Sequence, residues 1–156
     1  TLYGGWGLVR YETEPETAKA LDGDSLVMQD GRSVRILGIN TKERGQKNFE
    51  EAKEYLGKLV EGEELWLEPD RVIVDRFGRG LFWVWIDCES TPVFWDQNYM
   101  KLTSRTHREG LRENPEGCKM GKLVSEEMIK AGYSDPYFLK KKGEMKYEKR
   151  LLDLGN

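Results

Sequence analysis

One change of hydrophobic period constrains this chain more than anything else in it. Between Gln46 and Val60 the residues Phe49, Ala52, Tyr55, Leu56, Leu59 and Val60 recur at helical spacing, with Glu50, Glu51, Lys53, Glu54 and Lys58 on the other face. Gly62 follows as a breaker. On either side the apolar residues gather into short runs suited to strands. Thr17–Leu21 reads as the entry to a strand that continues through Asp24 into Ser25–Met28, and Ser33–Ile39 returns after the tight-turn pair Asp30-Gly31. Beyond the helix come Glu64–Glu68, limited by Pro69, then Val72–Val74, a turn at Asp75–Gly78, and Leu81–Ile86.

Five strand segments with a helix inserted between them predict an α+β, mainly β fold: a five-stranded Greek-key barrel of the oligonucleotide-binding type, with about three helices. The other two helices are expected near the C-terminus. Ser125 reads as the N-cap of one that ends at Gly132, and Asp135-Pro136 as the start of another. The length of 156 residues suits a single domain over 1–156. Residues 88–120 interrupt it as a long polar insertion with scattered aromatics.

Charge narrows the function classes. The formal net charge is −3 and the pI about 5.4, so phosphate contact by the whole surface is excluded and any such contact is local. Basic residues cluster at Lys101, Arg105, Arg108 and Arg112, and again between Lys140 and Arg150; acids concentrate between Glu43 and Asp70. The charged fraction of 34%, carried mostly by Lys and Glu, would suit a heat-tolerant protein. No run of about 18 apolar residues is present to span a bilayer, so no membrane partner is expected.

The stretch from Arg35 to Glu43 carries the chemistry. An arginine sits inside an apolar strand, and Asn40, Thr41 and Glu43 follow where that strand ends. With Asp30-Gly31 as a two-residue turn, Asp24 pairs near Leu37, and Asn40 lies about 10 Å further along an ideal strand. A bend is therefore required, and Gly38 is where it costs least. The Asp24 and Asn40 side chains and the Thr41 carbonyl can then converge on one hard cation, Ca²⁺ or another divalent ion. Alternatively, Asp24 caps the turn and Asn40 simply ends the strand. Glu43 is either a carboxylate that activates water or an acid favoured in the first turn of a helix. Arg35 and Arg79 suit a clamp on a phosphodiester; for Arg79 the other reading is an ion pair with Asp75.

Four blocks in order carry a resemblance: Asp22-Gly-Asp24-Ser25, Val34–Glu43, Asp75-Arg-Phe-Gly-Arg79-Gly-Leu, and Gly121–Gly132. Together they resemble the staphylococcal nuclease (thermonuclease-like) family over about residues 18–134, apart from the insertion. The resemblance implies Ca²⁺-dependent hydrolysis of phosphodiester bonds in DNA and RNA. It implies Asp24, Asn40 and the Thr41 carbonyl as metal ligands, Glu43 as the water-activating base, and Arg35 and Arg79 on the phosphate. Phe77 stands where the family often has a tyrosine beside the substrate, and Tyr137 approaches the other side of that pocket.

The chain departs from the family pattern in having Asn40 in place of an aspartate and Lys42 in place of a proline. Asn40 keeps a carbonyl oxygen but removes one negative charge, so weaker calcium binding is expected. The alternative is a catalytically weak or inactive nuclease-like module that binds nucleic acid or a protein. In the insertion, Phe94, Trp95 and Tyr99 beside Lys101, Arg105, His107 and Arg108 either stack on a single-stranded or flexible nucleic acid or form a solvated loop. Cys88 and Cys118 bracket it, as a disulfide staple or as two free thiols. Export is favoured over a cytoplasmic location.

Overall fold

The computed structural model describes residues 16–41, 45–94, 113–139 and 144–154. Eight strands and three helices follow in the order β1 (Ala18–Ala20), β2 (Ser25–Met28), β3 (Ser33–Ile36), β4 (Ile39–Asn40), α1 (Phe49–Val60), β5 (Trp66–Val74), β6 (Gly80–Ile86), β7 (Lys122–Leu123), α2 (Val124–Lys130), β8 (Asp135–Pro136) and α3 (Glu148–Asp153). The main sheet runs β1-β2-β3-β6-β5, with β7 also paired to β6. All of its pairs are antiparallel except β3 with β6. Glu16 and Leu65 exchange two backbone hydrogen bonds, of 2.7 and 2.8 Å. They join the residues just ahead of the two edge strands, so the sheet curls toward a barrel whose edges meet at one point rather than along a ladder. The expected oligonucleotide-binding architecture with its three helices is present, and β4 and β8 add a separate two-stranded sheet.

Several boundaries differ from the sequence reading, each for a local reason. Thr17–Met28 is not one strand: Ala20 pairs with Leu26, and the chain reverses through Leu21–Asp24. There the Asp22 carboxylate accepts the Asp24 N–H at 3.0 Å, closing a side-chain-to-backbone turn. The next hairpin has a three-residue loop, because Met28 N–H bonds Arg32 O at 2.8 Å. Asp24 therefore lies opposite Ile36, not Leu37: its carbonyl accepts the Ile36 N–H at 2.9 Å. Pro69 does not end its strand. It lies within β5, just before a register shift between Pro69 and Val74, and such an irregularity is where a sheet tolerates proline. Ser125 lies inside α2, its hydroxyl donating to Leu37 O at 2.6 Å, so it ties the helix to the sheet rather than capping it. Asp135-Pro136 does not open a helix but forms β8, against β4.

Two buried clusters hold these elements. The first fills the inside of the curled sheet under α1 and α2, with Leu26, Val34, Ile36, Ala52, Leu56, Leu67, Phe82 and Met128. The second lies under α3, with Trp66, Trp83, Trp85, Cys118, Leu123, Tyr147 and Leu151. Cys88 and Cys118 form a disulfide, with Cα atoms 4.2 Å apart, at the base of the insertion. Trp95, Tyr99, Lys101, Arg105, His107, Arg108 and Arg112 of that insertion lie outside the described residues. So does Glu43.

Candidate nuclease site

The site begins at a kink. Gly38 separates β3 from β4 with φ +88°, and a Cβ there would come within 2.7 Å of both Trp83 and Leu151. Only glycine satisfies both the left-handed backbone and the close approach. The predicted bend is therefore in place at the predicted residue. Arg35 braces it from outside: Nη1 donates to Ile36 O at 2.7 Å and Nη2 to Ile39 O at 2.8 Å, carbonyls on either side of the turn.

The kink brings Thr41 to Asp24. Asp24 Oδ2 accepts the Thr41 N–H and hydroxyl, both at 3.1 Å, and lies 3.4 Å from Arg35 Nη2. Asp24 Oδ1 accepts from the Ser25 hydroxyl at 3.1 Å. Gly23 lets the loop lie flat here, since a Cβ would sit 2.9 Å from Ala52 and from the Thr41 side chain. Asp22 shares the pocket of acid. Burial raises its carboxyl above the ordinary value, the Asp24 N–H it accepts from offsets part of that, and the Asp24 carboxylate beside it raises it further.

A cavity of about 590 Å³ opens beside this cluster. Arg35, Asn40, Phe77, Arg79 and Tyr137 all line it, so five of the eight residues singled out in the sequence share one concavity. Asp24 and Thr41 are joined to it through Arg35 rather than lining it themselves.

The far wall is the β5–β6 turn. Asp75 organises it, accepting the Phe77 N–H at 2.9 Å, the Arg79 N–H at 3.0 Å and Arg79 Nε at 2.7 Å. Burial works against ionisation of Asp75, but these donors and the Arg79 charge outweigh it and hold the carboxyl below its usual range. The Asp75 pair expected as the alternative role of Arg79 thus exists, and Arg79 faces the cavity as well. Phe77 is 69% exposed, with Arg76 and Arg79 over its ring at 4.9 and 5.6 Å. An exposed aromatic flanked by two guanidinium groups offers a stacking face next to positive charge.

The sequence reading missed Arg71, Phe138 and Met145, which also line the cavity. Arg71 was hidden inside a strand that Pro69 was expected to end. The other two lie in a stretch read as helical.

The family model of the staphylococcal nuclease homologues matches residues 33–156. The chain belongs to this family. It is also similar to a protein named thermonuclease from Staphylococcus hyicus, 29% identical over 80 residues, a match that covers 46% of this chain and 47% of that protein. The chain thus matches about half the length of that curated relative. In this chain the curled sheet, the Gly38 kink and the Asp75 turn supply the framework. By type, the oxygens offered by the Asp24 carboxylate, the Asn40 amide and the Thr41 main-chain carbonyl would suit a hard divalent cation. Among the described residues no three His, Cys, Asp or Glu side chains gather as a metal cluster, so such a cation would depend on mixed side-chain and main-chain oxygens.

Proposed function

We propose that this protein is a metal-dependent nuclease that hydrolyses phosphodiester bonds of DNA, RNA or both, with Ca²⁺ or another hard divalent cation as cofactor. The observation that supports this best is that Arg35, Asn40, Arg79, Phe77 and Tyr137 line one cavity, with Asp24 bonded to Thr41 and 3.4 Å from Arg35.

Asp24, Asn40 and the Thr41 carbonyl would hold the cation. When bound, it supplies positive charge to the phosphate and lowers the pKa of water. Arg35 and Arg79 bind the phosphate oxygens from two sides of the cavity and meet the charge that builds on them during attack. Both are fixed in advance, Arg35 by two carbonyls and Arg79 by Asp75, so little reorganisation is needed. Glu43, two residues beyond Thr41, takes the proton of the attacking water. Phe77 stacks on a base and Tyr137 bounds the opposite side. That arrangement favours a single-stranded or flexible substrate, whose bases are free to stack.

Asn40 favours a second reading, a module that binds nucleic acid or a protein without cutting, because one ligand charge is missing. Digestion of plasmid DNA, single-stranded DNA and RNA separates the two. Cleavage with Ca²⁺ that stops with chelator and in Glu43→Gln supports the nuclease. Binding of the same oligonucleotides with no cleavage under any divalent cation supports the module.

A further inference from the structure

We propose that Asp135 supplies to the cation site the carboxylate that Asn40 does not; this rests on the cation reading given above. The argument starts from the register of β4 and β8. Ile39 pairs with Pro136 and Asn40 with Asp135, antiparallel, and the Tyr137 N–H donates to Gly38 O at 3.0 Å. Proline has no N–H, so Ile39–Pro136 is the non-hydrogen-bonded pair, and Gly38–Tyr137 and Asn40–Asp135 are the hydrogen-bonded ones.

Side chains alternate between faces along a strand, and opposite residues share a face. Ile39 is completely buried in the core, so the Ile39–Pro136 side is the inner one. Asn40, Asp135 and Tyr137 then share the outer side, and Asn40 and Tyr137 both line the cavity. Asn40 and Asp135 are both exposed. Among the described residues neither the Asn40 amide nor the Asp135 carboxylate has a hydrogen-bond or ion-pair partner.

Distance and charge agree with a shared ligand. Residues in a hydrogen-bonded antiparallel pair have Cα atoms about 5.5 Å apart. Two short side chains at that spacing on one face can reach one ion with metal–oxygen bonds of about 2.3–2.6 Å. Asp24 already faces Arg35 at 3.4 Å, and Asn40 is neutral, so the described ligands bring little net negative charge to a divalent ion. Asp135 is the acid directly across the strand from that deficit.

The test is calorimetric titration of the whole chain with Ca²⁺, together with the Ca²⁺-induced rise in Tm. It uses the wild type, Asp135→Asn, Asp135→Glu, Asn40→Asp and the Asn40→Asp/Asp135→Asn pair, with exposed Glu63→Gln as control. Removing one charge next to a divalent ion is expected to weaken binding about tenfold or more in Asp135→Asn. Asp135→Glu stays nearer to wild type, and the double variant recovers most of the loss because it returns the carboxylate to position 40. A wild type that binds Ca²⁺ while Asp135→Asn and Glu63→Gln both stay within about twofold of it overturns the role of Asp135 and leaves the nuclease reading standing. A wild type that binds neither Ca²⁺ nor, in parallel titrations, Mg²⁺ or Mn²⁺ overturns both.

Discussion

The molecule uses the same residue types in two regions, to opposite ends. Around the cavity, Arg35, Asp75 and Arg79 are part-exposed and Phe77 is exposed, and the arginines are braced but still face the opening. Under α3, Glu68 and Asp70 are completely buried and nearly saturated with donors. Glu68 accepts from Trp85 Nε1 at 2.8 Å and the Tyr147 hydroxyl at 2.7 Å, and pairs with Lys146. Asp70 accepts from the Arg71 N–H at 2.7 Å, Trp83 Nε1 at 3.0 Å and the Lys146 N–H at 2.8 Å. Burial, and then the adjacent Glu68 charge, push the Tyr147 phenol well above its ordinary value, so it stays a donor. Carboxylate, cation and aromatic therefore do not make a site by themselves; cations and an aromatic that open onto a cavity do.

That contrast can be broken in graded steps. The largest effect is expected from Lys146→Met, which leaves Glu68 buried without its cation; denaturant unfolding should show a loss of about 3–5 kcal/mol. A loss under 1 kcal/mol would mean that Glu68 is not charged in the fold, or that water replaces the lysine. Arg35→Lys comes next. It keeps the charge but not the fork, and cleavage should fall by about a hundredfold, roughly 2.7 kcal/mol, with a smaller change in stability. Equal effects on rate and stability would make Arg35 a brace of the Gly38 kink and nothing more.

Phe77→Ala is expected to leave stability within about 0.5 kcal/mol of wild type, since the ring is exposed. It should weaken single-strand binding by about 1–3 kcal/mol; unchanged affinity would remove the stacking face. The smallest effect is that of Asp75→Asn, and it depends on pH. The folded carboxyl lies below its ordinary value of 3.8, so the stabilisation it brings is complete above about pH 4 and is lost as the pH falls through the folded value. The stability gap between wild type and Asp75→Asn should therefore narrow below about pH 4. A gap that stays constant would show that the turn does not depend on the carboxylate charge.

The two regions also differ in how far the sequence announced them. The Arg35–Thr41 part of the cavity side was legible because its residues lie close together in the chain and break a pattern: an arginine in an apolar strand, then a glycine, then oxygens. Phe77 and Tyr137, from distant segments, joined it only through the family resemblance. The bend at Gly38 followed from counting residues along a hairpin, although the assumed two-residue turn put Asp24 one position out. The buried network was not legible. Lys146 meets Glu68 across 78 positions, and nothing in the residues around either one marks the meeting. Pro69 actively misled, since a proline read as the end of a strand sits inside β5, where the sheet changes register. Asp135-Pro136 misled in the same way. A cap followed by proline reads as the start of a helix, and only the contact with β4 makes it a strand.

Cys88 and Cys118 have one further consequence. Their Cα atoms are 4.2 Å apart, so the chain leaves the barrel and returns to it at almost the same point. Whatever lies between is a cassette on a closed ring. Doubling the length of a flexible loop costs only about 0.6 kcal/mol in closure entropy. Segments of other lengths and compositions can therefore be exchanged at this address while β6 and β7 stay in register, at the end of β6 opposite the one that lines the cavity.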